Sequence, residues 1–232
     1  MAMTRSSFPC RPEKGGGPAG DTLAYWKLPG AHRKIGRPVS RDIPRQRNST
    51  VSPSRAADLA IPVQAADHVL GAAHAPMTVV EYGDFECPNC KQAAPAVKLL
   101  LERFANRVQV VFRQFPLEEV HPHALAAAEA AECAGGQGRF WEMHDLLFAN
   151  QEHLKLNQLH GYAERLQIDM ARFTAEMDDH VYLQRIREHM EGARRSGVRG
   201  TPAFFVNGRI QDVSFGIRAL FDAVEAALHH HN

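Results

Sequence analysis

The sequence predicts an α/β domain: a strand–helix–strand unit, an all-helical block, then a hairpin and a closing helix. Three observations predict it. β-type runs at 77–82 and 108–112 flank a helical pattern that opens at Pro88, with Val97, Leu100, Leu101 and Phe104 on one face. Apolar residues then recur at helical spacing from about 121 to 196. Finally, β-type runs at 203–206 and 209–211 enclose Asn207-Gly208, the strongest two-residue hairpin signal.

Taken in order, residues 1–66 read as an arm outside the fold. They hold about half of the prolines, a Gly15-Gly16-Gly17-Pro18 cluster and no sustained periodicity, so they bury too little apolar surface to offset the entropy of ordering. The first 55 residues carry 11 Lys/Arg against three acids, about +8, so the formal net charge of +1 conceals an acidic body of about −7. Tyr25 and Trp26 lie within the basic arm, but no nucleic-acid motif accompanies the charge, and a solvated tail is the expectation.

The folded part is expected over 67–232. The run at 77–82 reads as a buried strand. The helix from Pro88 to about Phe104 tolerates proline at its first position, whereas Pro95 should kink it. Two strands joined by one helix should be parallel with a right-handed crossover. The helical insertion, at about 119–198, divides into five segments: an alanine-rich one at 124–134, one marked by Phe140, Met143, Leu146 and Leu147, one by Leu159, Tyr162, Ala163 and Leu166, one by Phe173 and Met177, and one by Leu183, Ile186 and Met190. Ile217, Leu220, Phe221, Val224 and Leu228 mark the last helix.

The 44% hydrophobic content is ordinary for a globular protein, and no apolar run approaches the roughly 20 residues that span a bilayer. The N-terminus shows no apolar signal-peptide core, so a cytoplasmic protein is expected, or a periplasmic or exported one if the start is misassigned. The four cysteines (Cys10, Cys87, Cys90, Cys133) are too few for a disulfide framework in a chain of 232 residues.

Chemistry concentrates at Cys87-Pro88-Asn89-Cys90. A cysteine where a strand gives way to a helix meets unpaired N–H groups and the helix dipole, which favour the thiolate, and a second cysteine one turn on can close a small ring with it. Asp84 and Glu86 in the same turn would oppose ionisation if their charges were near. A Cys-x-x-Cys is also half of a zinc site, which His121 and His123 would complete only through the fold. Read alone, Thr201-Pro202 could start an edge strand in trans, and Glu81 could be a polar sheet-edge residue.

Together with Gly200-Thr201-Pro202-Ala203-Phe204-Phe205-Val206-Asn207-Gly208, and with His144-Asp145 after Phe140-Trp141, the segment Val80-Glu81-Tyr82-Gly83-Asp84-Phe85-Glu86-Cys87-Pro88-Asn89-Cys90 resembles the DsbA-like branch of the thioredoxin superfamily. The resemblance spans about 67–228 and implies a thioredoxin fold with a helical insertion. It implies a thiol–disulfide oxidoreductase in which Cys87 is the nucleophile and Cys90 the resolving thiol. Pro202 becomes a cis-proline packed on the pair, Thr201 its neighbour beside which a substrate backbone would pair as an added strand, and Glu81 a buried acid relaying protons to Cys90. An apolar surface including Phe85 would read the substrate. Asn89 departs from the histidine of the most oxidising relatives, so a potential between the extremes is expected. No metal or organic cofactor is implied, only protein or peptide thiols and disulfides as substrates and a redox partner.

The alternative is a non-catalytic thioredoxin-fold module that binds copper, zinc or client proteins through its dithiol. Cys133 reads as a small buried apolar residue, with a second redox role as the sharper alternative, and His144 as a packed helix residue.

Overall fold

A computed structural model describes residues 58–214 and 216–229. The chain divides into two units, 1–50 and 51–232, and the described residues lie in the second. The basic arm through residue 57, Cys10, Tyr25, Trp26 and the last three residues lie outside the described residues.

The elements run β1 (His68–Gly71), β2 (Met77–Gly83), α1 (Pro88–Arg103), β3 (Val108–Gln114), α2 (Ala124–Gly135), α3 (Phe140–Ala149), α4 (Leu156–Arg165), α5 (Met170–Asp178), α6 (Leu183–Arg195), β4 (Ala203–Val206), β5 (Arg209–Gln211) and α7 (Arg218–His229). The sheet order is β1-β3-β2-β4-β5. β2 and β3 are parallel, as their crossover requires, with Met77 opposite Val108 and Gly83 opposite Gln114. β4 lies antiparallel on the other side of β2 and turns into β5 through Asn207 (φ 44°) and Gly208 (φ 81°), the left-handed pair that a tight hairpin demands.

β2 is therefore central and covered on both faces, which is why it reads as an apolar run rather than an alternation. Met77 and Val79 pack with Ala93, Val97 and Leu100 of α1 and Leu220, Val224 and Leu228 of α7. Val80 and Tyr82 point the other way, toward Phe205, Ala193 and Val198. Glu81 shares the face of Met77 and Val79. α1 runs on through Pro95, and the five helical segments read from periodicity are α2 to α6.

Two features differ from the sequence reading. β1 carries little signal in the sequence, being four residues with no clear alternation. Tertiary contacts hold it, antiparallel to β3, with His68 stacked on Phe140 at 3.6 Å and Trp141 Nε1 donating to the Val69 carbonyl at 3.1 Å. Ordered contacts also start ahead of Asp67. Asp58 bridges to Arg209, Leu59 N–H donates to the Gly208 carbonyl, and Ala60 N–H donates to Ser196 Oγ. From that edge the strap crosses the sheet to Arg113, whose buried guanidinium donates to the Ile61 and Pro62 carbonyls and to both Asp67 carboxylate oxygens, at 2.8–3.0 Å.

Candidate active site

Pro88 fills the first position of α1, where a missing N–H costs nothing. That makes Cys87 the residue preceding the helix, with extended dihedrals (φ −75°, ψ 121°) and no side-chain capping bond of its own. It is 5% exposed and Cys90 is fully buried; both are free thiols. Cys87 Sγ donates to the Thr201 carbonyl at 3.3 Å, and the Thr201–Pro202 peptide bond is cis. Two motifs 114 residues apart thus form one site.

The two thiols are held in opposite states. The Cys90 thiol, donating to the Cys87 sulfur, does most to bring Cys87 down to about 5; burial opposes it, and Thr201 and the N–H groups of Cys90 and Asn89 add to the lowering. Ionisation removes the proton that Cys87 gives the Thr201 carbonyl, so the thiolate depends on these donors. Cys90 is pushed well above the ordinary thiol range by burial first, then by its bond to Cys87 and the Glu81 charge. Glu81 is itself 2% exposed, has an unpartnered Oε1, and is pushed up to about 8 by desolvation alone. At neutral pH it is therefore mostly a neutral acid near the Cys90 sulfur.

The acids flanking Cys87 behave otherwise than the sequence reading expects. Asp84 is buried and accepts from Glu86 N–H at 2.7 Å, Leu117 N–H at 2.8 Å and His121 Nδ1 at 2.8 Å. Glu86 takes the His123 N–H at 2.6 Å and pairs with its Nδ1 at 3.1 Å. Both carboxylates are thus engaged in fastening the turn to residues 117–123, with His121 and His123 as their partners. Among the described residues no group of three or more His, Cys, Asp and Glu is placed to hold a metal.

Phe85 corrects the expectation of an apolar substrate surface: it is 1% exposed, covered by Phe112 and Phe148 with ring centroids at 5.2 and 5.0 Å. His144 lies in the same aromatic cluster, where burial lowers its pKa. Cys133 is fully buried and pushed up to about 12, chiefly by desolvation. Sequence reasoning misses Gln151, whose Nε2 donates to the Phe85 and Cys87 carbonyls, both at 2.9 Å. A glutamine just past a helix end carries no periodic or motif signal. The open side of the site is a groove of about 490 Å3 lined by Asn89, Gln92, Thr201, Pro202, Val213 and Ile217, among others.

A family model described as thioredoxin matches residues 64–226. The chain belongs to the thioredoxin family. Its fold is that of the DsbA-like branch. BdbD from Bacillus subtilis, in oxidised form, aligns with a TM-score of 0.64 at 23% identity, over 69% of this chain and 92% of that one. A thioredoxin-like oxidoreductase from Silicibacter pomeroyi aligns at 0.63 with 27% identity, over 70% and 92%. Alpha-DsbA1 of Wolbachia pipientis aligns at 0.61 with 19% identity, over 71% and 92%.

Curated relatives of this thioredoxin-family chain carry a different name. It is 55% identical over 171 residues to Na(+)/H(+) antiporter NhaA 1 of Salinispora arenicola and 39% identical over 162 residues to NhaA 1 of Mycolicibacterium gilvum. Those matches cover 73% and 69% of this chain and 26% of each relative, so the chain spans about a quarter of their length. Among the described residues no helix is long and apolar enough to cross a membrane.

Proposed function

We propose that this protein exchanges disulfides with protein or peptide thiols through Cys87 and Cys90, with a preference for donating the disulfide. One observation carries the reading: the asymmetry of the pair, a thiol lowered to about 5 beside one held well above the ordinary range. Stabilising the Cys87 thiolate stabilises the reduced form, which makes the disulfide the better oxidant. This favours a more oxidising pair than the intermediate potential expected from Asn89.

Starting from the oxidised pair, a substrate thiolate attacks Cys87 Sγ. The Cys87–Cys90 bond breaks, its electron pair stays on Cys90, and the neutral Glu81 carboxyl supplies a proton. A second substrate thiolate then attacks the substrate sulfur of the mixed disulfide and Cys87 leaves as a stabilised thiolate. Two substrate thiols become one disulfide and the protein gains two electrons, which a redox partner removes. Substrate backbone pairs beside Thr201 as an added strand, in the groove that Pro202 borders.

Mass analysis of full-length Cys90→Ser incubated with an oxidised peptide tests the reading: a stable mixed disulfide on Cys87 is expected. Absence of any adduct, with bound copper or zinc in the purified wild type, would instead establish the dithiol as a metal-binding module. Because a disulfide donor works against the poise of the cytosol, the cytoplasmic location expected from the sequence is tested by fractionation with rapid alkylation. An oxidised pair outside the cytosol supports the donor, and a reduced pair inside it supports a reductase.

A second reading comes from the relatives named as antiporters. We infer that the same exchange acts on cysteines of a membrane transport protein, because relatives up to 55% identical carry this region within a chain about four times as long as the match. Recovery of transporter peptides among the Cys90→Ser adducts supports it; adducts confined to other proteins refute it.

A further inference from the structure

The junction at Cys87 has no side-chain cap. Asp84 and Glu86 tie the turn before it to residues 117–123, and Cys87 N–H closes on the Asp84 carbonyl at 3.2 Å, but none of these bonds holds the Cys87 carbonyl. Yet the donors that stabilise the Cys87 sulfur, the N–H groups of Asn89 and Cys90 among them, converge on it only if the chain turns from extended to helical at this point.

A further restraint, on the carbonyl side, comes from the helical insertion. Gln151, two residues past α3, spends both N–H groups of its carboxamide on the carbonyls of Phe85 and Cys87. Phe85 lies in the turn that Cys87 N–H closes on the Asp84 carbonyl at 3.2 Å, and Cys87 ends it, so one carboxamide fixes two carbonyls of the same turn. The Cys87 carbonyl also accepts the Lys91 N–H at 3.2 Å, so Gln151 takes its second lone pair. The Phe85 ring is gripped from the same side by Phe148 and His144 of α3.

We propose that Gln151 is a positioning residue that holds the Cys87 peptide at the start of α1 and so couples the helical insertion to the reactivity of the nucleophile. This rests on the dithiol reading above. Gln151 makes no bond to either sulfur, so its effect passes through the backbone. The titratable groups around the turn are Glu81, Asp84, Glu86, Cys90, His121, His123 and, from α3, His144 with its partner Asp145. The hydrogen bonds of Asp84, Glu86, His121, His123 and His144 run to partners other than Gln151.

The test uses the full-length reduced protein with Gln151→Met, which keeps the length and removes both donors, and Gln151→Glu, which keeps the shape and sets a carboxylate against two carbonyls. Iodoacetamide alkylation of Cys87 is followed against pH by peptide mapping, and the pair is equilibrated with glutathione. Losing the two hydrogen bonds should raise the alkylation midpoint and shift the glutathione equilibrium toward the protein disulfide about three- to tenfold, with Gln151→Glu showing the larger change. If both variants keep the wild-type midpoint and equilibrium, whatever happens to their melting temperatures, Gln151 only fastens its own loop and the proposal is wrong. Should Gln151→Met fail to fold, the uncharged Gln151→Leu, which also lacks both donors, decides the matter by the same two readouts, because a carboxylate at this position also raises the midpoint by its charge alone. A wild-type midpoint near 9 is a separate failure: it removes the dithiol reading, and the positioning role with it.

Discussion

Reduction and acidification together perturb the site in a way whose size follows from the geometry. In the reduced protein Cys87 is lowered to about 5 from an ordinary 9.0, whereas the oxidised protein has no thiol to titrate. A depressed pKa contributes stability that is complete above the unfolded value, near 9, and is lost as pH falls through the folded value, near 5. Near pH 7 the linkage amounts to about 2–3 kcal/mol in favour of the reduced fold, and near pH 4 to almost nothing. Glu81 and His144 titrate whether or not the disulfide is formed, so their contributions are expected to cancel in the comparison to first order. Urea unfolding of oxidised and reduced protein at a series of pH values is the assay. With m near 2–3 kcal/mol/M for a domain of this size, the reduced midpoint should lose about 1 M relative to the oxidised one between pH 7 and pH 4. Two curves that stay parallel across that range would refute an ionised Cys87 and with it the role of the donors at the start of α1.

Three further outcomes follow from other residues. Glu81 has a folded pKa raised to about 8 from 4.5, so its burial costs stability increasingly from about pH 4.5 upward. Glu81→Gln should therefore stabilise the fold by about 1–3 kcal/mol at neutral pH and not at all below pH 4.5, while slowing release of Cys90 in stopped-flow exchange; no gain at pH 7 contradicts the desolvated acid. Asp84→Ala strands three donors and should cost about 2–4 kcal/mol in thermal unfolding, with Asp84→Asn costing less. Arg113→Leu leaves the buried Asp67 carboxylate without its guanidinium, with only the Gln64 N–H bonded to it and His189 nearby, so a loss of about 3–5 kcal/mol is expected, with faster proteolysis within 58–67. Unchanged cleavage would mean that the strap is held by something other than Arg113.

Much of the fold is legible in the order of residues. The helices from α3 to α6 are readable because each must bury one face, and a face recurs every three or four residues; α2, buried almost all round, is readable from its run of alanines. The β4–β5 hairpin is readable because Asn207 and Gly208 adopt a backbone that few other residues accept. Cys87 and Cys90 are readable because the chemistry needs both sulfurs within one turn. β1 is not, since a four-residue edge strand takes its stability from Phe140 and Trp141, about seventy residues away. Phe85 is misplaced by the sequence for the same reason: only α3 shows that the ring is covered.

The roles of the charged and polar residues divide along that line. Local sequence determined the helix start at Pro88, the cysteine ahead of it and the turn before β5, because each depends on backbone conformations set by neighbours in the chain. Tertiary structure decided that Asp84 and Glu86 fasten the active-site turn to residues 117–123 and that Glu81 lies desolvated near Cys90. It also placed Gln151 on the Cys87 carbonyl. The physical reason is that the effect of a charge or a hydrogen-bond donor depends on its distance to a partner and on the water excluded between them, and neither quantity is a property of the order of residues.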